Sequence, residues 1–168
     1  VTTTSDAGNG IGYTSIRVRG TDPTRINITA NGIPINDAES SNVYWTNMPD
    51  FASSVESMQI QRGVGTSTNG AGAFGATINM QTENIGVKPF GGIDLSAGSY
   101  GSHKETFRFG TGLINGHWGF QGRLSNVGSD GYIDRASSKL DSYFLQGGYF
   151  SDNTVGKFIT FNGKEETY

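Results

Sequence analysis

The sequence is poor in several residue types that would define other classes of protein. Its 168 residues contain no cysteine and only four prolines, and Lys and Arg number 12 against 15 Asp and Glu, for a net charge of −3. The lack of cysteine excludes disulfide frameworks, thiolate metal sites and cysteine nucleophiles. The slightly acidic balance, with no basic patch, argues against nucleic-acid binding. No apolar run reaches the ~20 residues of a membrane helix, but transmembrane β-strands need only ~10 alternating residues.

Glycine is abundant, and it concentrates in one stretch before a predicted strand. The chain has 26 glycines, roughly double the usual ~7% share. Residues 62–80 read RGVGTSTNGAGAFGATINM. A phosphate-binding loop ends in Gly-Lys-Ser/Thr and opens a helix, whereas this stretch has no lysine and leads into a strand. The favoured interpretation is a structural loop in a crowded place, which uses Gly63, Gly65, Gly70, Gly72 and Gly75 for positive φ and close backbone approach.

The first half predicts short strands with irregular connections. In RINITANGIPIN, Asn31-Gly32 separates two alternating apolar segments, which is a strong hairpin signal. Residues 56–61 and 76–81 predict two further strands that bury Met58, Ile60, Ile78 and Met80. NMPDFASS predicts a helix of a turn or two, with Asn47 as its cap and Asp50 near its start. Together these elements predict a small α+β unit.

From about residue 88 the strands become longer. Ile93 and Leu95, then Phe107, Phe109, Thr111 and Leu113, then Trp118, Phe120 and Leu124 alternate with polar or glycine residues. About five such segments predict an antiparallel meander with one apolar face. Two classes of protein fit this pattern: a sandwich that buries the face under a second sheet, or an outer-membrane barrel that turns it to lipid.

The ordered motifs of residues 15–82 resemble the plug domain of TonB-dependent outer-membrane transporters. The matching residues are Arg19-Gly20, Asn31-Gly32-Ile33-Pro34-Ile35, Val55-Glu56, Gln61-Arg62-Gly63, Asn69-Gly70, Ala73-Phe74-Gly75-Ala76 and Ile78-Asn79. Val64, Asn69 and Asn31 stand where the family usually has proline, tyrosine and an acidic residue. The resemblance implies an α+β plug domain over residues 1–86, lacking its N-terminal part, and the first five or so strands of a transmembrane β-barrel over residues 87–168.

The resemblance also implies function, location and partners. It predicts that the protein is not an enzyme and needs no cofactor. It predicts instead that the chain is part of a receptor in the bacterial outer membrane that imports a scarce solute of the siderophore, vitamin, glycan or peptide class. Its partners would be the energy-coupling protein TonB, reached through a segment N-terminal to this chain, outer-membrane lipid, and the rest of the barrel or other chains at the open strand edges. The alternative that remains open is a secreted or surface β-sandwich acting as an adhesin or glycan-binding module.

The resemblance places candidate solute contacts in the outward loops of the plug. These residues are Thr21, Asp22, Asp37, Glu39, Asn42, Tyr44, Trp45 and Asn47. The amide and aromatic side chains among them also suit a loop that packs against the barrel wall. Arg62 and Glu56 fit either an ordinary charge pair on the strand or contact between plug and barrel. The resemblance favours the second for Arg62, because a plug arginine near this motif pairs with barrel carboxylates in the family. His103 and His117 lie in different segments without a third histidine or a cysteine nearby, so no metal site is predicted.

Overall fold

The chain forms two compact units, and one short segment belongs to a different unit from its neighbours in sequence. The computed structural model describes residues 1–5, 14–64 and 74–167. The first unit comprises Val1–Thr46 and Val55–Glu83, and the second comprises Asn47–Ser54 and Asn84–Tyr168. These units are defined by contacts within the chain. The family-domain boundary expected at residue 86 stays a prediction.

The first unit consists of short strands in two sheets. Its strands are β1 (Thr2–Ser5), β2 (Thr14–Arg17), β3 (Ile26–Ala30), β4 (Ile33–Pro34), β5 (Val55–Arg62) and β6 (Ala76–Thr82). β1 and β2 pair antiparallel, and the other four form a sheet in the order β4-β3-β6-β5. β3 and β6 run parallel at its centre, while β4 and β5 flank them antiparallel. A 3₁₀ turn, Pro23–Arg25, leads into β3.

The predicted hairpin is confirmed. Ala30 pairs with Ile33, and Asn31 and Gly32 have φ of 52° and 81°, as a two-residue turn between right-twisted strands requires. The Asn31 side chain binds β6 as well, since its Oδ1 accepts from the Thr82 backbone N–H at 3.0 Å. Pro34 lies on the edge strand β4, where a missing backbone donor is tolerated.

The core of the first unit lies on its two central strands. Ile26 and Ile28 on β3, and Ile78 and Met80 on β6, are each at most 4% exposed. The expectation that Met58 and Ile60 on β5 are buried too is wrong, because they are 50% and 38% exposed. They pair with Met80 and Ile78 and share their face. β5 is an edge strand, however, and no described element covers its side chains.

The second unit is the predicted antiparallel meander. Its strands are β7 (Phe90–Ala97), β8 (His103–Ile114), β9 (Trp118–Ser129), β10 (Ser138–Ser151) and β11 (Thr154–Thr167). Each strand pairs with the next in an open five-stranded sheet. The helix predicted in NMPDFASS is a single 3₁₀ turn, Phe51–Ser54, preceded by a separate 3₁₀ turn at Trp45–Asn47. Asp50, with φ of 54°, interrupts any longer helix.

The two faces of the meander differ as the alternation predicts, with one exception. Ile93 and Leu95 are more than 70% exposed, whereas Arg123 on the opposite face is 4% exposed. The exception is Leu113, which pairs with Gly119 after a bulge between Gly110 and Leu113. This bulge inverts the alternation and moves Leu113 to the polar face. In the described part of the chain, no helix has the length and hydrophobicity needed to span a bilayer.

Candidate functional site

Three of the predicted solute contacts line one pocket in the first unit. Asn42, Tyr44 and Trp45 border a cavity of about 190 Å³ whose other walls include Thr14, Ser15 and Ile16 of β2 and the buried Ile26 and Ile28 of β3. None of the lining side chains carries a formal charge. The pocket therefore combines aromatic surface with hydroxyl and amide groups, a composition suited to an uncharged, hydrogen-bonding part of a ligand.

The loop before this pocket is held in shape by its own polar side chains. The Asn36 Oδ1 accepts from the Ile28 backbone N–H at 2.8 Å, and its Nδ2 donates to the Ile26 carbonyl at 2.9 Å, so the side chain pairs with β3 as a strand would. The Asp37 carboxylate accepts from the Ser40 N–H at 2.7 Å and the Ser40 hydroxyl at 2.9 Å. These bonds from Ser40 lower the pKa of Asp37 below its usual value. Asp37 therefore shapes the loop, and its predicted contact with solute stays a prediction.

The remaining predicted contacts lie elsewhere. Thr21 and Asp22 border a separate shallow concavity beside Arg19 and Arg25. Asp22 caps the 3₁₀ turn, accepting from the Thr24 N–H at 3.0 Å and the Thr24 hydroxyl at 2.7 Å, and these bonds lower its pKa. Glu39 is exposed on the loop after Asp37. Asn47 belongs to the second unit.

The glycine-rich stretch is described only at its two ends. Gly63 has φ of 81°, and its N–H donates to the Gly75 carbonyl at 2.9 Å. A Cβ added to Gly75 would lie 2.2 Å from the Thr21 Cγ2, so this position needs a glycine for close packing. Gly65, Gly70 and Gly72 lie outside the described residues. Glu56 and Arg62 are both exposed on β5, and their contact with a barrel stays a prediction.

The second unit contains a buried ionic cluster that sequence reasoning missed. We call it the Asp50 cluster, and it comprises Asp50, Ser53, Ser54, Lys104, Arg123 and Ser125. The Asp50 carboxylate accepts from the Lys104 Nζ at 2.7 Å, the Ser53 hydroxyl at 2.6 Å and the Ser125 hydroxyl at 2.6 Å, and it also pairs with the Arg123 Nη1. The Arg123 Nε donates to the Ser54 hydroxyl at 2.8 Å.

Opposing effects act on the pKa of Asp50. Burial raises this pKa, but the hydrogen bonds from Lys104, Ser125 and Ser53 and the charge of Arg123 outweigh burial and lower it below 3.8. The carboxylate is therefore ionised at neutral pH. The Arg123 side chain is only 4% exposed and the Asp50 side chain 11%, so both charges are largely shielded from water and the loss of either partner would be costly for the other.

Apolar and steric contacts fix the same segment. Phe51 is 4% exposed and lies with its ring centroid 5.0 Å from that of Phe161 and 6.3 Å from that of Phe144. Pro49 packs so closely against β11 that a Cβ at Gly163 would lie 2.1 Å from the Pro49 Cγ. Pro49, Asp50 and Phe51 thus each contact a different part of the sheet.

Within residues 1–5, 14–64 and 74–167, no group of three or more His, Asp or Glu side chains is arranged to hold a metal ion. The two histidines are engaged with backbone. The His103 Nδ1 lies 3.1 Å from the Gly101 carbonyl oxygen, and the His117 Nδ1 lies 2.7 Å from that of Phe150.

Comparison with known proteins finds a family match in the first part of the chain. Residues 1–77 match the family model described as the TonB-dependent Receptor Plug Domain. No individual curated protein sequence matches the chain.

Solved structures of outer-membrane receptors share the fold. The pyoverdine outer membrane receptor FpvA from Pseudomonas aeruginosa PAO1 matches with a TM-score of 0.69 and 18% identity, covering 88% of this chain and 21% of that chain. The ferric yersiniabactin uptake receptor FyuA from Yersinia pestis matches with a TM-score of 0.67 and 17% identity, covering 91% of this chain and 25% of that chain. The copper transporter OprC matches with a TM-score of 0.71 and 19% identity, covering 89% of this chain and 24% of that chain. The chain thus spans about a quarter or less of the length of these three proteins.

Proposed function

From the premise that the chain carries a TonB-dependent receptor plug domain in residues 1–77, we propose that it is part of an outer-membrane receptor that imports a scarce solute. The observation that carries the proposal is the combination of this plug domain with an antiparallel meander whose apolar face is exposed. Such a face on a water-soluble monomer would be far larger than the apolar patches that soluble proteins tolerate.

The connections of the meander support a place in the outer membrane. At one end of the sheet the connections are short, residues 115–117 and 152–153, and at the other end they are longer, residues 98–102 and 130–137. Outer-membrane barrels have short periplasmic turns and longer extracellular loops. Aromatic pairs lie at both ends of the sheet. The ring centroids of Trp118 and Tyr149 are 4.8 Å apart at one end, and those of Tyr100 and Tyr132 are 5.4 Å apart at the other. Their positions fit the aromatic girdles at the two membrane interfaces.

The pocket lined by Asn42, Tyr44 and Trp45 is our candidate for solute contact. Its uncharged lining suits a sugar ring, a peptide group or an aromatic part of a siderophore or vitamin. Thr21, Asp22, Asp37, Glu39 and Asn47 are proposed as further contacts on the resemblance to the family.

The proposed activity is transport and not catalysis. The plug would bind solute from outside, and TonB would pull on a segment N-terminal to the residues described here and open a path. Arg62 and Glu56 are proposed to contact the barrel wall while the plug is in place.

An uptake experiment tests this proposal. A strain lacking the complete gene would be supplied with labelled iron as a panel of ferric siderophores, and separately with labelled copper, vitamin B12 and oligosaccharides. We expect gene-dependent accumulation of one of these solutes, lost when TonB is absent. Accumulation that is gene-dependent but unaffected by loss of TonB, or a protein that is absent from the outer membrane, would contradict the proposal.

The alternative, a surface β-sandwich that binds glycans, requires a second sheet over the apolar face of residues 90–150. Within the described residues that face is exposed, as shown by Ile93 and Leu95. This observation favours the receptor.

A further inference from the structure

Residues 47–54 lie in sequence between the two parts of the first unit but pack with the strands of the second. Val1–Thr46 precedes them and Val55–Glu83 follows them, and both of these ranges belong to the first unit. The chain therefore leaves the first unit, attaches to the meander for eight residues, and returns. A segment with this placement experiences any displacement between the two units directly.

Three independent contacts hold the segment on the meander. Asp50 binds Lys104 on β8 and both Arg123 and Ser125 on β9. Phe51 packs against Phe144 on β10 and Phe161 on β11. Pro49 contacts Gly163 on β11. Four adjacent strands thus contribute to the attachment.

Detaching the segment would take away partners that the charged groups on the sheet have in it. Arg123 is 4% exposed on the sheet and would lose both the Asp50 carboxylate and the Ser54 hydroxyl. Breaking a buried ion pair while one partner remains buried is among the most costly local changes in a protein. In the first unit, by contrast, strand β5 is exposed along most of its length.

We propose that residues 47–54 are a fixed attachment point: this segment stays on strands β8–β11 while the first unit, on both sides of it in sequence, is displaced or unfolds. Asp50 and Arg123 are its positioning residues. The idea that TonB supplies the displacing force rests on the proposed function, whereas the difference in local stability does not.

Thiol labelling of the full-length receptor in detergent tests the inference, since this chain has no cysteine of its own. Ser54→Cys reports on the segment and Thr77→Cys on β6 of the first unit, and these residues are 3% and 0% exposed. Each variant is pulsed with a thiol reagent over a urea series, and modification is measured on the peptide that carries the new cysteine. We expect Thr77→Cys to react at a lower urea concentration than Ser54→Cys. At urea concentrations that open the first unit, the labelling rate of Ser54→Cys should be about tenfold lower than that of Thr77→Cys. Equal labelling, or earlier labelling of Ser54→Cys, would overturn the inference.

Second substitutions in the Ser54→Cys background separate the positioning role from general destabilisation. Arg123→Gln should bring labelling of Ser54→Cys to the urea concentration at which Thr77→Cys reacts, and Arg123→Lys should restore part of the difference. Arg108→Gln is the matched control, because Arg108 pairs with the exposed Asp94 on the same sheet, and it should change nothing.

If Arg123→Gln does not insert into membranes, Lys104→Gln removes one cation of the cluster and should produce a smaller shift in the same direction. An Arg108→Gln shift as large as that of Arg123→Gln or Lys104→Gln would refute the role of the cluster. The labelling requires neither solute nor TonB, so failure of the transport proposal would leave its outcome unaffected.

Discussion

Replacing Gly163 by alanine should loosen residues 47–54 without changing any charge. The new Cβ would lie 2.1 Å from the Pro49 Cγ and 2.8 Å from the Asp141 carbonyl oxygen. Neither atom belongs to a flexible side chain, so either the 47–54 segment or β11 must shift. Inserting a methyl group into a packed site of this kind typically costs about 1–3 kcal/mol.

Hydrogen exchange of the full-length protein in detergent measures this cost locally. The Phe51 N–H donates to the Met48 carbonyl at 3.2 Å and the Ser53 N–H to the Asp50 carbonyl at 3.1 Å, so a peptide spanning 47–54 contains protected amides. A loss of about 1–3 kcal/mol corresponds to exchange that is roughly 5- to 150-fold faster. Peptides of β3 and β6 should be unaffected.

Gly156→Ala is the matched control for this experiment. Gly156 lies on the same strand, and an added Cβ there meets no atom within 4 Å. We expect exchange of the 47–54 peptide to be unchanged in this variant. Equal exchange in the Gly163→Ala and Gly156→Ala variants would refute the steric reasoning, because Pro49 would then have room to move without cost.

Three further outcomes follow from the same contacts. Ile78→Ala should destabilise the first unit by about 2–5 kcal/mol in a urea titration followed by exchange of β3 and β6, whereas Ile33→Ala, at a side chain 68% exposed, should cost about 0.5 kcal/mol or less; equal effects would contradict the assigned core. Because the pKa of Asp50 is lowered, its contribution to stability is fully present above the ordinary value of 3.8 and is lost as the pH falls through the lower folded value. The protection of residues 47–54 against exchange, measured relative to the intrinsic exchange rate at each pH, should thus fall below about pH 3.8 in the native protein, while Asp50→Asn should lack this acid-dependent step. The isolated 168-residue chain should associate in analytical ultracentrifugation without detergent, because its sheet has open edges and an exposed apolar face, and a stable monomer would favour the sandwich.

Features encoded by neighbouring residues were predictable from the sequence. The Asn31-Gly32 turn follows from the need for positive φ at two successive positions. The meander follows from the alternation of apolar and polar residues, which sets the faces of β7, β9 and most of β8 without reference to any other part of the chain. Alternation alone left the architecture open between a sandwich and a barrel. The motifs of residues 15–82 favoured the barrel, because they resemble a plug domain.

Features that depend on distant partners were missed or misplaced. Asp50 is 54 residues from Lys104, 73 from Arg123 and 75 from Ser125, so its sequence context indicated only a helix N-terminus. Met58 and Ile60 alternate as core residues do, but the sequence does not reveal that β5 is an edge strand without cover in the described part of the chain. The bulge before Leu113 was hidden because Gly110-Thr111-Gly112 continues the alternation in sequence.

The most direct test of the central proposal is the labelling of introduced cysteines in intact cells. Asp134→Cys lies in the longer connection 130–137 and Asp152→Cys in the short turn 152–153, so the two exposed positions are at opposite ends of the sheet. With the full-length protein in the outer membrane, a thiol reagent that cannot cross this membrane should label Asp134→Cys in whole cells and Asp152→Cys only after the membrane is permeabilised. Equal labelling of both positions in whole cells, or recovery of the protein in the soluble fraction, would contradict an outer-membrane receptor.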